Sequence, residues 1–381
     1  MILKDCLEKI IDNRGRNPKY YDNEAYPVID NVMIKNNYHP NINEATRFID
    51  QDTHDNFLRG YLEPNIPIMT LVGGGIGNVS LSIDDKSVIV QNTIGFKTKP
   101  EVLDSIYLYY WFLYKHDELI QFNRGSGQPS IRKTDIENMN IELKDINYQR
   151  KVSKILSEID EKIELNNKIN NNLYELSTIY HCDFVKSISD NNKCYFKELS
   201  ELGKIVMGQS PKGESYNYEN DGLPLINGAA DYEDGYLKAQ KYTSKPIKKC
   251  DRNDLLFCIR ATIGLLVICD KEYCLGRGVA GITNINQTYK EYAYHLINSS
   301  IEDFKRMATG SVIVGISREN IENILLNVPS NKEIERYHSI QKPIFDRMEN
   351  IRIENKNLKE LRDTLLPKLM NGEIDLDNIE I

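Results

Sequence analysis

Residues able to do bond-making chemistry are sparse in this sequence and poorly spaced for it. Glu158-Ile-Asp160-Glu-Lys162 carries the carboxylates and lysine of a nuclease site. On a helix, side chains one and two positions apart point in different directions, so the segment reads as a solvated face. Asn17-Pro-Lys-Tyr20 has part of an Asn-Pro-Pro-Tyr loop that could hold a flipped adenine. Lys stands in place of the second Pro and no glycine-rich cofactor turn precedes it, so it reads as a plain turn. Gly73-Gly-Gly-Ile-Gly77 lacks the Lys-Ser/Thr that would hold phosphate and Mg²⁺, and reads as a tight turn between strands. The same absence excludes a translocase motor. The 6 histidines are scattered, with no metal pair at helical spacing. The 7 cysteines, Cys250, Cys258, Cys269 and Cys274 among them, form no CxxC pair and read as free thiols in a reducing cytoplasm. No catalytic residue, metal site or cofactor is expected in the chain, which leaves binding.

Binding chemistry is easier to find. Lys238, Lys241, Lys245, Lys248, Lys249 and Arg252 form the densest basic run, interleaved with Tyr236 and Tyr242. Basic and aromatic residues together suit a phosphate track. Arg260, Arg277 and Arg318 stand beside small residues (Thr262, Gly276, Gly278, Ser317), where an arginine can approach a base edge and pair with guanine. In the first half of the chain, Arg124, Ser126, Gln128 and Arg132 occupy the loop equivalent to Gly310–Ser317, which contains Ser311. That loop could read bases or simply cap a helix. Lys35-Asn-Asn-Tyr-His39 is a second candidate loop. The net charge of −8 counts mildly against nucleic acid, but the local field decides binding.

These loops need elements to hold them. Gln149 to Tyr180 contains no Pro or Gly and reads as one long helix. Val152, Ile155, Ile159, Ile169, Leu173, Leu176 and Tyr180 fall on one stripe at coiled-coil spacing, interrupted by Lys162 and Asn166. Near the C-terminus Tyr337, Ile340, Ile344, Ile351, Leu358, Leu361 and Leu365 repeat the stripe. Tyr337 follows Val152 by 185 positions, and Leu358 follows Leu173 by the same 185. Ser311 matches Ser126, and Ile321-Glu-Asn323 matches Ile136-Glu-Asn138, at that offset. The chain is therefore a duplication of one half. The simplest burial of both stripes is against each other as an antiparallel pair. Ile163, Met348 and Leu369 would then face a partner or their own globule. A helix of about 32 residues spans roughly 48 Å, more than the ~34 Å of one DNA turn.

The 381 residues suit two or three domains, and no apolar run reaches membrane-spanning length. The fold expected is α+β. Two tandem recognition globules, residues 1–146 and 195–330, are separated by long antiparallel helices at 147–186 and 331–371, with a linker at 187–194 and a tail at 372–381. The plan has internal pseudo-twofold repetition. Strands are expected at Tyr26–Ile29, Ile66–Val72, Val79–Ile83 and Val88–Ile94, and a helix at Asp104–His116 with its counterpart at Tyr289–Asn298.

Three stretches carry a family resemblance. Gln149-Arg-Lys-Val-Ser-Lys-Ile-Leu-Ser-Glu-Ile-Asp160-Glu-Lys-Ile163 resembles the spacer helix of the specificity subunits of type I restriction–modification enzymes. Leu361-Arg-Asp-Thr-Leu-Leu-Pro-Lys-Leu-Met-Asn-Gly-Glu-Ile374 is similar to that family's C-terminal signature. Leu202-Gly-Lys-Ile-Val-Met-Gly-Gln-Ser-Pro211 with Gly222-Leu-Pro-Leu-Ile-Asn-Gly228 resembles the opening of its target-recognition domains. Residues 3–60 contain no such Gly-x-Ser-Pro turn. The resemblance implies a non-catalytic, cytoplasmic subunit. Each target-recognition domain would read one half of a bipartite, asymmetric duplex DNA target. The helices would set the gap and dock two adenine-methylating modification subunits, which use S-adenosylmethionine, and a restriction/translocase subunit would join them. The rival reading is a duplicated protein–protein scaffold with no DNA role.

Overall fold

The computed structural model describes residues 1–376 apart from Arg16, Ser126, 191–193, Asp234 and 309–313. The chain divides into two compact units. Unit one is Met1–Lys168 with Arg352–Ile381, and unit two is Ile169–Ile351.

Unit one is built on a four-stranded antiparallel sheet. Its strands are β1 (Leu7–Ile11), β2 (Pro67–Thr70), β3 (Val79–Leu81) and β4 (Thr93–Thr98), in the order β1-β4-β2-β3. Every residue of β2 and β3 is buried, so both faces of these strands are covered rather than one, as an alternating stretch would suggest. The expected strand at Val88–Ile94 is interrupted. Gln91 adopts φ +54°, which breaks the extended run, and the regular strand begins only at Thr93. Helix α1 (Ser105–Tyr114) is capped by Asp104, whose side chain accepts from Tyr107 N–H at 2.9 Å. Its sequence is apolar all round, and Tyr107 to Phe112 are all buried, the pattern of a helix enclosed by its domain.

Unit two repeats the sheet. Nine of its strands are β5 (Lys204–Met207), β6 (Tyr216–Asn217), β7 (Leu223–Ile226), β8 (Lys241–Thr243), β9 (Lys249–Cys250), β10 (Leu255–Cys258), β11 (Gly264–Ile268), β12 (Tyr273–Leu275) and β13 (Val279–Thr283). Four of them form an antiparallel sheet in the order β5-β13-β10-β11, the same plan as β1-β4-β2-β3. The other five form a second sheet, β9-β12-β7-β8-β6. Helix α3 (Lys290–Ser299) is the counterpart of α1. Cys6, Cys182, Cys250, Cys258, Cys269 and Cys274 are free thiols, and the buried Cys250 and Cys269 sulfurs lie 3.3 Å apart. Among the described residues no three His, Cys, Asp or Glu side chains group as metal ligands, and no helix is long and apolar enough to cross a membrane.

The first long helix, α2 (Ile146–Asp190), runs past the expected 147–186, while the second, α4 (Asn331–Asn371), has the expected bounds. Ser187 to Asp190, expected as linker, continues α2 because Phe184 and Ile188 are drawn into unit two's core. The helices contribute to both units, and within each the paired segments run antiparallel. In unit one Asp160 meets Arg362 and Asn166 meets Asn355. In unit two Ser177 meets Gln341 and His181 meets Tyr337.

The seam between the helices is more polar than its apolar stripe suggests. Val152, Tyr337 and Ile351 are buried as expected of that stripe, and Ile155, Ile159, Ile169, Leu173, Ile344, Leu358 and Leu365 are half-buried. Leu176, Ile340 and Leu361 instead are 54%, 38% and 48% exposed and stand off the seam. Their places are taken by Asp160, Asn166, Ser177, His181 and Gln341, all buried and all hydrogen-bonded. A pattern of apolar residues alone passes over such positions, because hydrogen bonding is what makes burying them tolerable. Ile163 and Leu369 are buried within unit one, Leu369 in its main core, so neither is free for a partner.

Candidate nucleic-acid interface

The same corner is built in both units, where the two central strands of the shared sheet end. In unit one Leu71 N–H donates to Asn92 O (2.7 Å), one step beyond the β2–β4 ladder. A loop strand then adds alongside: Ile131 N–H donates to Leu71 O (2.9 Å), Gly73 N–H to Pro129 O (2.9 Å), and Val72 bridges Ser130. In unit two Ile259 N–H donates to Gly278 O (2.9 Å), Ile316 N–H to Ile259 O (3.1 Å) and Ala261 N–H to Val314 O (3.0 Å), and Arg260 bridges Gly315. Position by position, Val72 stands where Arg260 stands, and Gln91 stands where Arg277 stands. Gln91 and Arg277 are one residue out of step with the offset of 185, which would have paired Arg277 with Asn92, and Val72 and Arg260 are three out of step.

In unit two this corner is locked by backbone approaches too close for any side chain. A Cβ on Gly276 would lie 2.2 Å from Asn227 Oδ1, and one on Gly278 would lie 2.0 Å from Asn227 O. Gly276 N–H donates to Ile226 O (2.7 Å), Gln209 N–H to Leu275 O (2.8 Å), and Arg277 N–H to Ser210 Oγ (3.3 Å). The Gly-Gln-Ser-Pro turn and the Asn227-Gly228 turn thus clamp the segment that displays Arg277. Asp231 holds the second turn, its Oδ2 accepting from Asn227 N–H (2.7 Å) and Gly228 N–H (3.3 Å). Arg277 and Arg260 are both exposed. A Cβ on Gly315 would lie 3.3 Å from Arg260 Cγ, so the glycine leaves room for that side chain.

The remaining candidates are distributed differently. Arg318 is exposed but paired with Glu322 at 2.7 Å, and the Ser317 hydroxyl oxygen caps the same short helix through Asn320 N–H (3.2 Å). The basic run does not form one continuous track. Lys238 pairs with Glu233 and Lys249 with Glu272 (2.9 Å). Lys241 lies over the ring of the exposed Tyr218 at 5.7 Å, and Tyr242 follows it on β8. The pairings Lys249–Cys274, Cys274–Leu225 and Leu225–Lys241 set the two lysines in one row across the second sheet. They are three inter-strand steps apart, about 14 Å. Lys245, Lys248 and Arg252 are exposed on the adjoining loops. In unit one Arg124 pairs with Asp135 (3.0 Å), Arg132 precedes a short helix, and Gln128 is exposed in a loop tied by Asn123. Ser126 and Ser311 lie outside the described residues.

Unit one's corner also gathers residues that the sequence did not single out. Gln91 Nε2 donates to Asn17 Oδ1 (2.7 Å), and Arg47 Nη1 donates to Gln91 Oε1 (3.3 Å). Arg47 is forked onto Asp30 and sits 4.3 Å over the ring of Tyr20. The hydrogen bonds it donates to Asp30 raise the guanidinium's pKa further, and burial raises that of the Tyr20 hydroxyl. The only sequence sign of this cluster is the Asn17-Pro turn, which places Tyr20 and Asn17 within reach of it.

Comparison with known proteins agrees with this duplicated architecture. The family described as "Type I restriction modification DNA specificity domain" matches residues 2–175 and again 191–365. A protein of Methanocaldococcus jannaschii assigned as the MjaX type I restriction enzyme specificity subunit is 29% identical over 296 residues, covering 73% of this chain and 69% of that one. The MjaIX specificity subunit of the same organism is 21% identical over 308 residues, covering 72% and 70%. Among solved structures, the S subunit of a type I restriction–modification system from M. genitalium has a TM-score of 0.63 at 16% identity, over 97% of this chain and 95% of that one. With both halves matched, the chain belongs to the type I restriction–modification DNA specificity family, as a recognition subunit and not an enzyme.

Proposed function

We propose that each unit reads one half of a bipartite, asymmetric duplex DNA sequence, and that the corner where its central strands end lies at the reading surface. The observation that carries this is the pairing of a repeated sheet with unlike corner residues: Gln91 and Val72 in one unit, Arg277 and Arg260 in the other. A shared scaffold with different side chains suits two unlike half-sites. Lys241, Tyr242, Lys245, Lys248 and Arg252 would track the backbone, together with Arg124, Gln128 and Arg132 in unit one.

The chain would act in the cytoplasm, with two adenine methyltransferase subunits docked on its long helices and a restriction/translocase subunit joining where the system has one. The exposed Leu176 and Leu361, separated by that same offset of 185, are apolar anchors suited to two copies of one partner. S-adenosylmethionine would be the methyltransferase's cofactor, not this chain's. The test is co-expression with the neighbouring methyltransferase and mapping of methylated adenines by single-molecule sequencing. A split motif with a fixed gap, lost on deletion of this chain, is expected; an unchanged methylation pattern would overturn the reading.

A further inference from the structure

We infer that the position shared by Gln91 and Arg277 selects one base in each half-site, with Arg277 reading guanine and Gln91 reading adenine. The inference rests on the DNA-reading function proposed above. Four features of unit two set Arg277 apart from its other cations. It is exposed and forms no ion pair with a described residue, unlike Arg318, Lys238 and Lys249. Its backbone is held on both sides by glycines against Asn227, so the side chain leaves a fixed platform. The β10–β13 ladder pairs Cys258 with Val279 and continues to Ile259 and Gly278. Beyond it stand Arg260, bridged to Gly315, and Arg277, in the turn from Gly276 to Val279, so the corner carries two exposed arginines, neither paired with a described carboxylate.

Two exposed arginines at one corner without carboxylate partners make a local positive field that suits an anion. DNA supplies that anion as phosphate, which suits Arg260, while the fork of Arg277 matches the two acceptors on the major-groove edge of guanine. In unit one, Val72 replaces the phosphate-binding arginine and Gln91 replaces the forked reader. The Gln91 amide spends one N–H on Asn17 and one lone pair on Arg47. It retains one donor and one acceptor in fixed orientation, which is the pair that adenine N7 and N6–H₂ require.

The test uses the full complex with its methyltransferase, read by methylome mapping and by competition between duplexes carrying each base pair at each position of the motif. Arg277→Gln is expected to lower discrimination for guanine at one position of one half-site by roughly 5- to 150-fold, leaving the other half unchanged. Arg277→Lys keeps the charge and is expected to lose discrimination while retaining most of the affinity. Gln91→Arg is expected to alter one position in the opposite half. Arg260→Gln is expected to weaken all sequences alike and to reduce the salt slope by about one. An unaltered split motif in Arg277→Gln overturns the inference and leaves the proposed function standing. Uniform weakening by Arg277→Gln with no change in base preference makes Arg277 a phosphate contact and overturns it too. A wild-type complex without a split motif defeats the proposed function itself.

Discussion

Glycine residues 276 and 278 show how much of the corner in unit two depends on side chains that are absent. Each is placed where a methyl group would collide with Asn227, and between them Arg277 is presented to solvent. Gly278→Ala must push the Asn227 carbonyl aside, and overpacking of this kind costs about 1–3 kcal/mol. Urea unfolding of the purified subunit would measure that loss, and a stability within error of wild type would mean that the clamp is slack. Arg318 presents the opposite case. Its tie to Glu322 is an exposed i,i+4 pair of the kind worth only about 0.3–0.5 kcal/mol, so DNA could break it cheaply, but it lacks the rigid platform of Arg277.

At the scale of elements, the long helices are matched by polar contacts that work in only one register. Asp160 is 3% exposed and accepts from Arg362 Nη1 and the Tyr110 hydroxyl, each at 2.7 Å. Burial raises its carboxyl above the ordinary value even though Arg362 pulls it down. Arg362→Met would strand a buried carboxylate, a loss of about 3–5 kcal/mol. The loss should shrink as pH falls, because a raised carboxyl takes up its proton early and the charge penalty disappears. Unfolding midpoints at pH 7.5 and 5.5 would check this; an equal loss at both would mean that Asp160 is not the stranded group.

Unit two uses histidines instead. The Ser177 hydroxyl donates to Gln341 Oε1 (2.6 Å), so His295 Nε2 must donate to Ser177 Oγ (2.6 Å), while His181 Nδ1 meets the Tyr337 hydroxyl (2.9 Å). Burial holds His181 down to about 4, and burial together with repulsion from His181 holds His295 down to about 3. Both folded values lie below the unfolded value of about 6.5. The stabilising contribution is therefore complete above pH 6.5 and is lost as pH falls toward 4. It amounts to on the order of 2 kcal/mol per ring at pH 5. Imidazole nitrogen NMR at pH 5 should find both rings neutral, and protonated rings would refute the burial argument.

For the whole molecule, the proposed role of α2 and α4 in setting the gap between half-sites makes that gap a property of helix length. One heptad inserted in both helices, after Lys168 and after Ile351, leaves the Asp160, Asn166, Ser177 and His181 pairings intact. It adds about 10 Å of helix, or roughly three base pairs at 3.4 Å each. Methylome mapping is expected to return the same two half-sites with a longer gap. An unchanged gap would mean that something other than the helices sets it.

The duplication, the two long helices and the family were legible in the sequence because they rest on local periodicity and on repeated spacing, which survive without knowledge of contacts. The Gly-Gln-Ser-Pro turn was legible for the same reason, as glycine marks a backbone constraint wherever it falls. The buried faces of the helices were not legible. Asp160, Asn166, Ser177 and His181 are polar, and only partners far away in sequence make their burial possible, while apolar Leu176 and Leu361 are left outside. Nor could the sequence place Gln91 opposite Arg277. The sheet equivalence differs from the helix offset by one residue at Gln91 and Arg277 and by three at Val72 and Arg260, and an odd slip exchanges the faces of a strand. Register depends on hydrogen bonds between segments distant in sequence, such as Leu71 with Asn92 and Ile259 with Gly278. Only the tertiary structure forms those bonds, and so only the tertiary structure decides which residues share the corner proposed to read DNA.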